Sequence, residues 1–92
     1  MPLLKKILLV DDDNVLRSLT KTALERSEKG FEVMACSSAA EAMSGLDVFV
    51  PDLLLTDYVM PMMDGIELIQ EIEKRGHSVP AILITGKADG SL

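Results

Sequence analysis

A doubly wound α/β fold with a parallel sheet is predicted by three observations. Short, continuous apolar runs, Ile7 to Val10, Leu53 to Thr56 and Ala81 to Thr85, have the pattern of strands covered on both faces. Segments of helical period separate them. The spacing is that of successive right-handed βαβ units, with no repeat, linker or low-complexity stretch to interrupt it.

The elements follow in order. Ile7 to Val10 is the first strand. From Asn14 to about Glu28, Leu16, Leu19, Ala23 and Leu24 recur at helical spacing, with Arg17, Lys21, Glu25 and Arg26 on the polar face, and Gly30 stops the helix. Phe31 to Cys36 alternates Phe, Val and Ala against Glu, Met and Cys, which suits a less buried strand nearer a sheet edge. Ser38-Ala39-Ala40-Glu41 fits a capping box, with Ala42, Met43 and Leu46 as the apolar side of the helix it starts. Pro51 closes the next loop, and Asp52 to Asp57 reads as a third strand lying beside the first. Tyr58 to Asp64 is a loop containing Pro61. Asp64-Gly65-Ile66-Glu67 is a second capping box, opening a helix whose Ile66, Ile69 and Ile72 are expected to face inward. Gly76 ends that helix, and Pro80 leads into a fourth buried strand, Ala81 to Thr85.

Composition narrows the classes. Ninety-two residues, 48% hydrophobic and 26% charged, describe one globular domain spanning 1–92. Two Phe, one Tyr and no Trp give little support for stacking on nucleic-acid bases. A net charge of -6 argues against direct binding of nucleic acid or anionic membrane by this chain. The single cysteine, Cys36, cannot form an internal disulfide and fits a reducing cytoplasm. The opening Met1-Pro2-Leu3-Leu4-Lys5-Lys6 turns polar too early for a signal peptide or a membrane span.

Chemistry concentrates in the acids. Asp11, Asp12 and Asp13 close the first apolar run and Asp57 closes the third strand. In an open α/β sheet the carboxyl ends of neighbouring strands converge on the ligand crevice. Carboxylates gathered there repel one another, so the arrangement makes sense with a hard divalent cation among them, most simply Mg²⁺ with oxygen ligands.

The runs Ile7-Leu8-Leu9-Val10-Asp11-Asp12-Asp13, Pro51-Asp52-Leu53-Leu54-Leu55-Thr56-Asp57-Tyr58-Val59-Met60-Pro61-Met62-Met63-Asp64-Gly65 and Ala81-Ile82-Leu83-Ile84-Thr85-Gly86 resemble the receiver domain of two-component response regulators. The loop from Asp57 to Gly65 is the most specific part, because it sets the acid, the proline and the helix cap in one register. The resemblance implies a flavodoxin-like receiver fold and a cytoplasmic signalling domain rather than a turnover enzyme. It implies Asp57 as phosphoacceptor, charged by a sensor histidine kinase or a histidine phosphotransfer protein. Mg²⁺ would be held by Asp12 directly, by Asp11 through water, by Asp57 and by the Val59 backbone carbonyl. Thr85 would be the hydroxyl that turns to hold the phosphoryl group, and Val59 and Lys87 would influence how long the phosphate lasts.

The chain also departs from the family. A receiver continues with a helix, a fifth strand bearing a lysine, and a last helix, roughly 30 residues at average element lengths. No lysine here stands in that context. Without those elements the fourth strand is expected to be an exposed apolar edge and the first helix to lose cover on one flank. A second copy paired symmetrically or by swapping, a second fragment, or an engineered chain ending in a Gly90-Ser91-Leu92 remnant would each account for this. Two alternatives stand beside the main reading. One is a pseudo-receiver or engineered fragment acting as a binding or oligomerisation module. The other is a haloacid dehalogenase-type phosphatase, whose first motifs Asp11-x-Asp13 and Thr85 resemble and in which Asp11 would be the nucleophile. Blander roles suit the remaining residues: Asp13 and Asp64 as helix caps, His77 on the surface, Cys36 in the core, and Met60 in packing, with Met62 and Met63 open between packing and a partner surface.

Overall fold

The computed structural model describes residues 5–85. In chain order these form β1 (Lys6–Val10), α1 (Asn14–Glu25), β2 (Glu32–Cys36), α2 (Ala39–Gly45), β3 (Leu53–Asp57), α3 (Gly65–Lys74) and β4 (Ala81–Ile84). The strands make one parallel sheet in the order β2-β1-β3-β4. This is the predicted α/β architecture, with β3 beside β1 and β2 at an edge.

Strand β1 shows why parallel strands read as continuous apolar runs. Leu8 and Val10 enter the larger core with Ala42, Met43, Leu46, Leu54, Leu68 and Ile72, whereas Ile7 and Leu9 enter a smaller one with Val33 on the opposite face. The strand's start is clamped by Asp52, whose carboxylate accepts from the Lys5 and Lys6 amides at 3.0 and 2.8 Å. Those bonds, the Lys6 amide first, lower the Asp52 pKa.

Three expectations are corrected. Ile66 is 39% exposed, while Leu68 is fully buried and Ile72 nearly so. A 66–69–72 row drifts about 120° around a helix of 3.6 residues per turn, whereas 68 and 72 stay on one face. The Ser38 hydroxyl does accept from Glu41 N–H at 3.1 Å, but the Glu41 carboxylate reaches one residue further back, to the Ser37 amide at 2.6 Å and its hydroxyl at 3.1 Å. Strand β4 is not buried: Ala81 is exposed and Ile82 is 52% exposed.

The uncovered flank follows the expectation from the family pattern. Helix α1 ends at Glu25 and fully buries none of its residues: Leu24 packs against the smaller core, while Leu16 and Leu19 of the same stripe are exposed. At the other capping box both bonds form: Asp64 accepts from Glu67 N–H at 2.8 Å, and Glu67 accepts from Asp64 N–H at 3.0 Å.

Candidate functional site

Strand register builds the site. Val10 pairs with Thr56 and Asp57 pairs with Ile84, so the residues following β1, ending β3 and following β4 come level at the carboxyl end of the sheet. There Asp11, Asp12 and Asp57 each offer a carboxylate oxygen, all within 4.8 Å of one another. Asp11 and Asp57 are buried and Asp12 is exposed. Three oxygens this close, two of them buried, fit a hard divalent cation by donor type and spacing.

Local bonds hold the acids in place. The Asp11 N–H donates to the Cys36 carbonyl at 3.0 Å, extending the β1–β2 ladder by one residue. Asp11 Oδ1 accepts from Asp13 N–H at 2.9 Å. Asp13 in turn caps α1, accepting from Leu16 N–H at 2.9 Å. Asp57 is tied through its backbone: the Tyr58 N–H donates to the Ile84 carbonyl at 3.0 Å, and the Gly65 N–H donates to the Tyr58 carbonyl at 2.8 Å. Thr56, wholly buried behind the site, donates to the Asp57 carbonyl at 3.1 Å.

The loop after Asp57 is bent sharply. Met62 has φ 74, and the Met63 N–H donates to the Pro61 carbonyl at 2.8 Å across it, a γ-turn of the rare positive-φ kind. The turn leaves Met62 fully exposed while Met60 packs in the core and Met63 rests against it. A cavity of about 270 Å³ lies beside the acids, lined by Asp12, Ser38, Ala39, Met60, Pro61 and Met62 among others.

The structure brings together Asp11, Asp12 and Asp57. Thr85 is exposed in the coil one residue beyond the register partner of Asp57, and Val59 lies two residues past Asp57 with its side chain exposed. Lys87, Gly86 and Gly90-Ser91-Leu92 lie outside the described residues, as does the segment Met1 to Leu4. Asp13 and Asp64 are helix caps, as expected. Cys36 is a buried thiol whose pKa is pushed up to about 11, mainly by burial and further by Glu41, with Arg17 acting against the rise. His77 is half-buried rather than fully at the surface. One residue of the site escaped notice in the sequence: Arg17, assigned to a polar face, donates from Nη1 to the Asp11 carbonyl at 2.8 Å and from Nη2 to Asn14 Oδ1 at 2.7 Å. Its position four residues into the helix, one turn from the acids, was the available signal.

A doubly wound parallel sheet with three carboxylates at its carboxyl edge defines a class of α/β domain built to hold charged ligands there. Comparison with known proteins makes the class specific. The response regulator receiver domain family matches residues 7–92. The chain is 35% identical over 83 residues to the alkaline phosphatase synthesis transcriptional regulatory protein PhoP of Bacillus subtilis, covering 90% of this chain and 34% of that protein. It is 40% identical over 84 residues to the transcriptional regulatory protein CpxR of Klebsiella pneumoniae, covering 91% and 34% respectively. A CheY-like response regulator receiver domain protein from Methanospirillum hungatei superposes with a TM-score of 0.80 at 34% identity, over 96% of this chain and 69% of that one. The chain belongs to the response regulator receiver domain family. It spans about a third of the length of the two curated relatives. Receiver domains are phosphoacceptor signalling domains of two-component systems rather than turnover enzymes. Among the described residues no helix is long and apolar enough to cross a membrane.

Proposed function

We propose that Asp57 accepts a phosphoryl group from the phosphohistidine of a sensor histidine kinase or histidine phosphotransfer protein, with residues 1–92 acting as one cytoplasmic receiver unit. The observation that carries this reading is the meeting of Asp11, Asp12 and Asp57 within 4.8 Å at the end of the sheet. Asp11, Asp12, Asp57 and the Val59 carbonyl would hold Mg²⁺. Bound there, the ion would offset the repulsion between a carboxylate nucleophile and an incoming phosphoryl group.

The remaining work belongs to the chain. An Asp57 carboxylate oxygen forms the bond to phosphorus as the bond to the donor imidazole breaks, and that nitrogen keeps the electron pair. The product is a mixed anhydride, energetic enough to be reversed, which suits a switch. It adds about -1.5 to -2 charges and new acceptor oxygens one residue in register from Thr85, whose hydroxyl would donate to them. Val59, two residues beyond the acceptor, would influence access of water and so the lifetime of the phosphate; Lys87 is proposed for the same part.

Intact-mass spectrometry after incubation with MgCl₂ and acetyl phosphate, beside D57N, tests the reading. Gain of one phosphoryl group by the parent alone supports it. No gain in folded parent protein sinks it, and labelling of D57N would move the acceptor elsewhere. The family match over residues 7–92 leaves the phosphatase alternative, with Asp11 as nucleophile, without support.

A second reading is favoured by one observation, the exposed edge of β4 together with the exposed Leu16 and Leu19 of α1. A binding or oligomerisation module, in which another copy covers that edge by symmetric or swapped pairing, would use the same fold without phosphotransfer. Sedimentation velocity of the chain decides whether it self-associates. The net charge of -6 favours protein partners over nucleic acid or membrane.

A further inference from the structure

We infer that Arg17 is a positioning residue for the metal site: its guanidinium fixes the Asp11–Asp12 peptide plane and thereby aims the Asp12 carboxylate. The inference rests on the reading that Asp11, Asp12 and Asp57 hold a divalent cation.

Asp11 is held through the peptide groups on either side of it. Its N–H is donated to the Cys36 carbonyl of β2 at 3.0 Å, and its carbonyl accepts from Arg17 Nη1 at 2.8 Å. Its side chain is separately fixed by the Asp13 amide at 2.9 Å. Asp12 is exposed, follows the last β1–β2 ladder bond, and is joined to Asp11 through the peptide whose oxygen Arg17 holds. That peptide's oxygen accepts from the Arg17 guanidinium. The second arm of the fork is anchored on Asn14 Oδ1 at 2.7 Å, so the guanidinium plane is set by two bonds rather than one.

The placement is informative because helix electrostatics oppose it. Arg17 sits near the start of α1, where the aligned peptide dipoles favour anions and disfavour cations. The bonds to Asp11 and Asn14, together with the neighbouring acids, give the residue a reason to be there. Its long stem is half-buried, and it lies close enough to Cys36 to act electrostatically on that thiol. Arg17 therefore stands behind the acids and not among the groups that would touch the metal.

This role predicts a sign opposite to that of charge alone. A cation near a Mg²⁺ site repels the ion, so an Arg17 that mattered only as charge would, once removed, leave a site that binds Mg²⁺ more tightly. An Arg17 that aims Asp12 would leave a site that binds more weakly, by the 10–100-fold range typical when a group orienting a metal ligand is lost. The experiment titrates MgCl₂ into the 92-residue chain and follows Tyr58, the single tyrosine in a protein without tryptophan, with calorimetry as a second readout. R17A is expected to weaken Mg²⁺ binding about tenfold or more, and R17K, which keeps the charge and loses the fork, to weaken it as well. N14A, which frees one arm, should give a smaller loss. Thermal midpoints are measured alongside, and R17K carries the comparison if R17A does not fold. Parental or tighter Mg²⁺ affinity in a folded Arg17 variant overturns the inference while leaving the metal site standing. A folded parent that binds no Mg²⁺ overturns the metal reading and this inference with it.

Discussion

Gly65 is expected to be intolerant of alanine although it lies in a helix, where alanine is ordinarily favoured. A Cβ at this position would drive into the Asp57 carbonyl oxygen and approach Leu83 Cδ2 at 2.7 Å. The Asp57 carbonyl is backbone, held between Thr56 Oγ1 at 3.1 Å and the β3–β4 ladder, so it cannot swing aside as a side-chain tip can. Helix propensity would contribute at most about 1 kcal/mol in favour of alanine. Inserting a methyl group into a packed site costs about 1–3 kcal/mol, and a clash with fixed backbone puts this position in the upper part of that range, about 2–3 kcal/mol. The net for G65A is a loss of about 1–2 kcal/mol, which for a domain of this size corresponds to a thermal midpoint lower by roughly 5–15 °C. Gly45 supplies the control. A Cβ there meets only the Sδ and Cε end of Met34, a flexible thioether able to move away, so G45A should be neutral or raise the midpoint. Differential scanning calorimetry of the two variants checks the pair. A G65A midpoint at or above the parent's, or a G45A loss as large as that of G65A, refutes the reasoning.

Leu68 is fully buried and Ile66 is not, so L68A should cost about 3 kcal/mol and I66A less than about 1 kcal/mol in urea unfolding; equal costs would contradict the helix orientation. The Asp52 pKa is lowered by the Lys6 and Lys5 amides, so its contribution to stability is present above the ordinary value of 3.8 and is lost as pH falls through the lower folded-state value. D52N should therefore show a flatter decline in stability below about pH 4 than the parent, measured by pH-jump urea curves. The Cys36 thiol, raised to about 11 from 9.0, favours the folded state below the ordinary value, and that contribution is lost as pH climbs towards 11. Iodoacetamide at pH 8 should leave the folded chain nearly unlabelled and label it fast in urea; rapid native labelling would contradict the burial.

Legibility differed between the two sides of the sheet for a physical reason. The interior strands β1 and β3 announce themselves because both faces are covered and every residue must be apolar, and the acids that close them could be placed opposite one another from strand ends alone. The capping boxes were legible because a cap is a contact within one turn, yet Glu41 shows the limit: its carboxylate found Ser37 instead of Ser38, a choice between adjacent donors that local sequence leaves open. Helix orientation was harder. In α3 several apolar residues compete for one face, and the sheet selects Leu68 and Ile72. Arg17 left only a positional signal, one turn from the acids, because its partner is a backbone carbonyl, which every residue possesses. The stripe on α1 divides as the family pattern led us to expect: Leu24 packs against the smaller core, while Leu16 and Leu19 lie on the flank that the described residues leave uncovered.

That contrast separates the durability of the site from the exposure of the flank. Asp11 and Asp57 hang from β1 and β3, strands whose neighbours are all present among the described residues, so the carboxylates meet without help from the outer elements. Thr85 and Arg17 depend instead on β4 and α1, the two elements that bury least. Local opening free energies track buried apolar contact, so β4 and α1 should exchange their amides before β1 and β3 do. On the proposed reading, Mg²⁺ binding should weaken without vanishing where α1 loosens, because Asp11 and Asp57 hang from the interior strands and only the aim of Asp12 depends on Arg17. Any partner that covers β4 and α1 would act on the site by steadying those two groups rather than by building the acid cluster, and coupling between partner and phosphorylation would be reciprocal, as linkage requires.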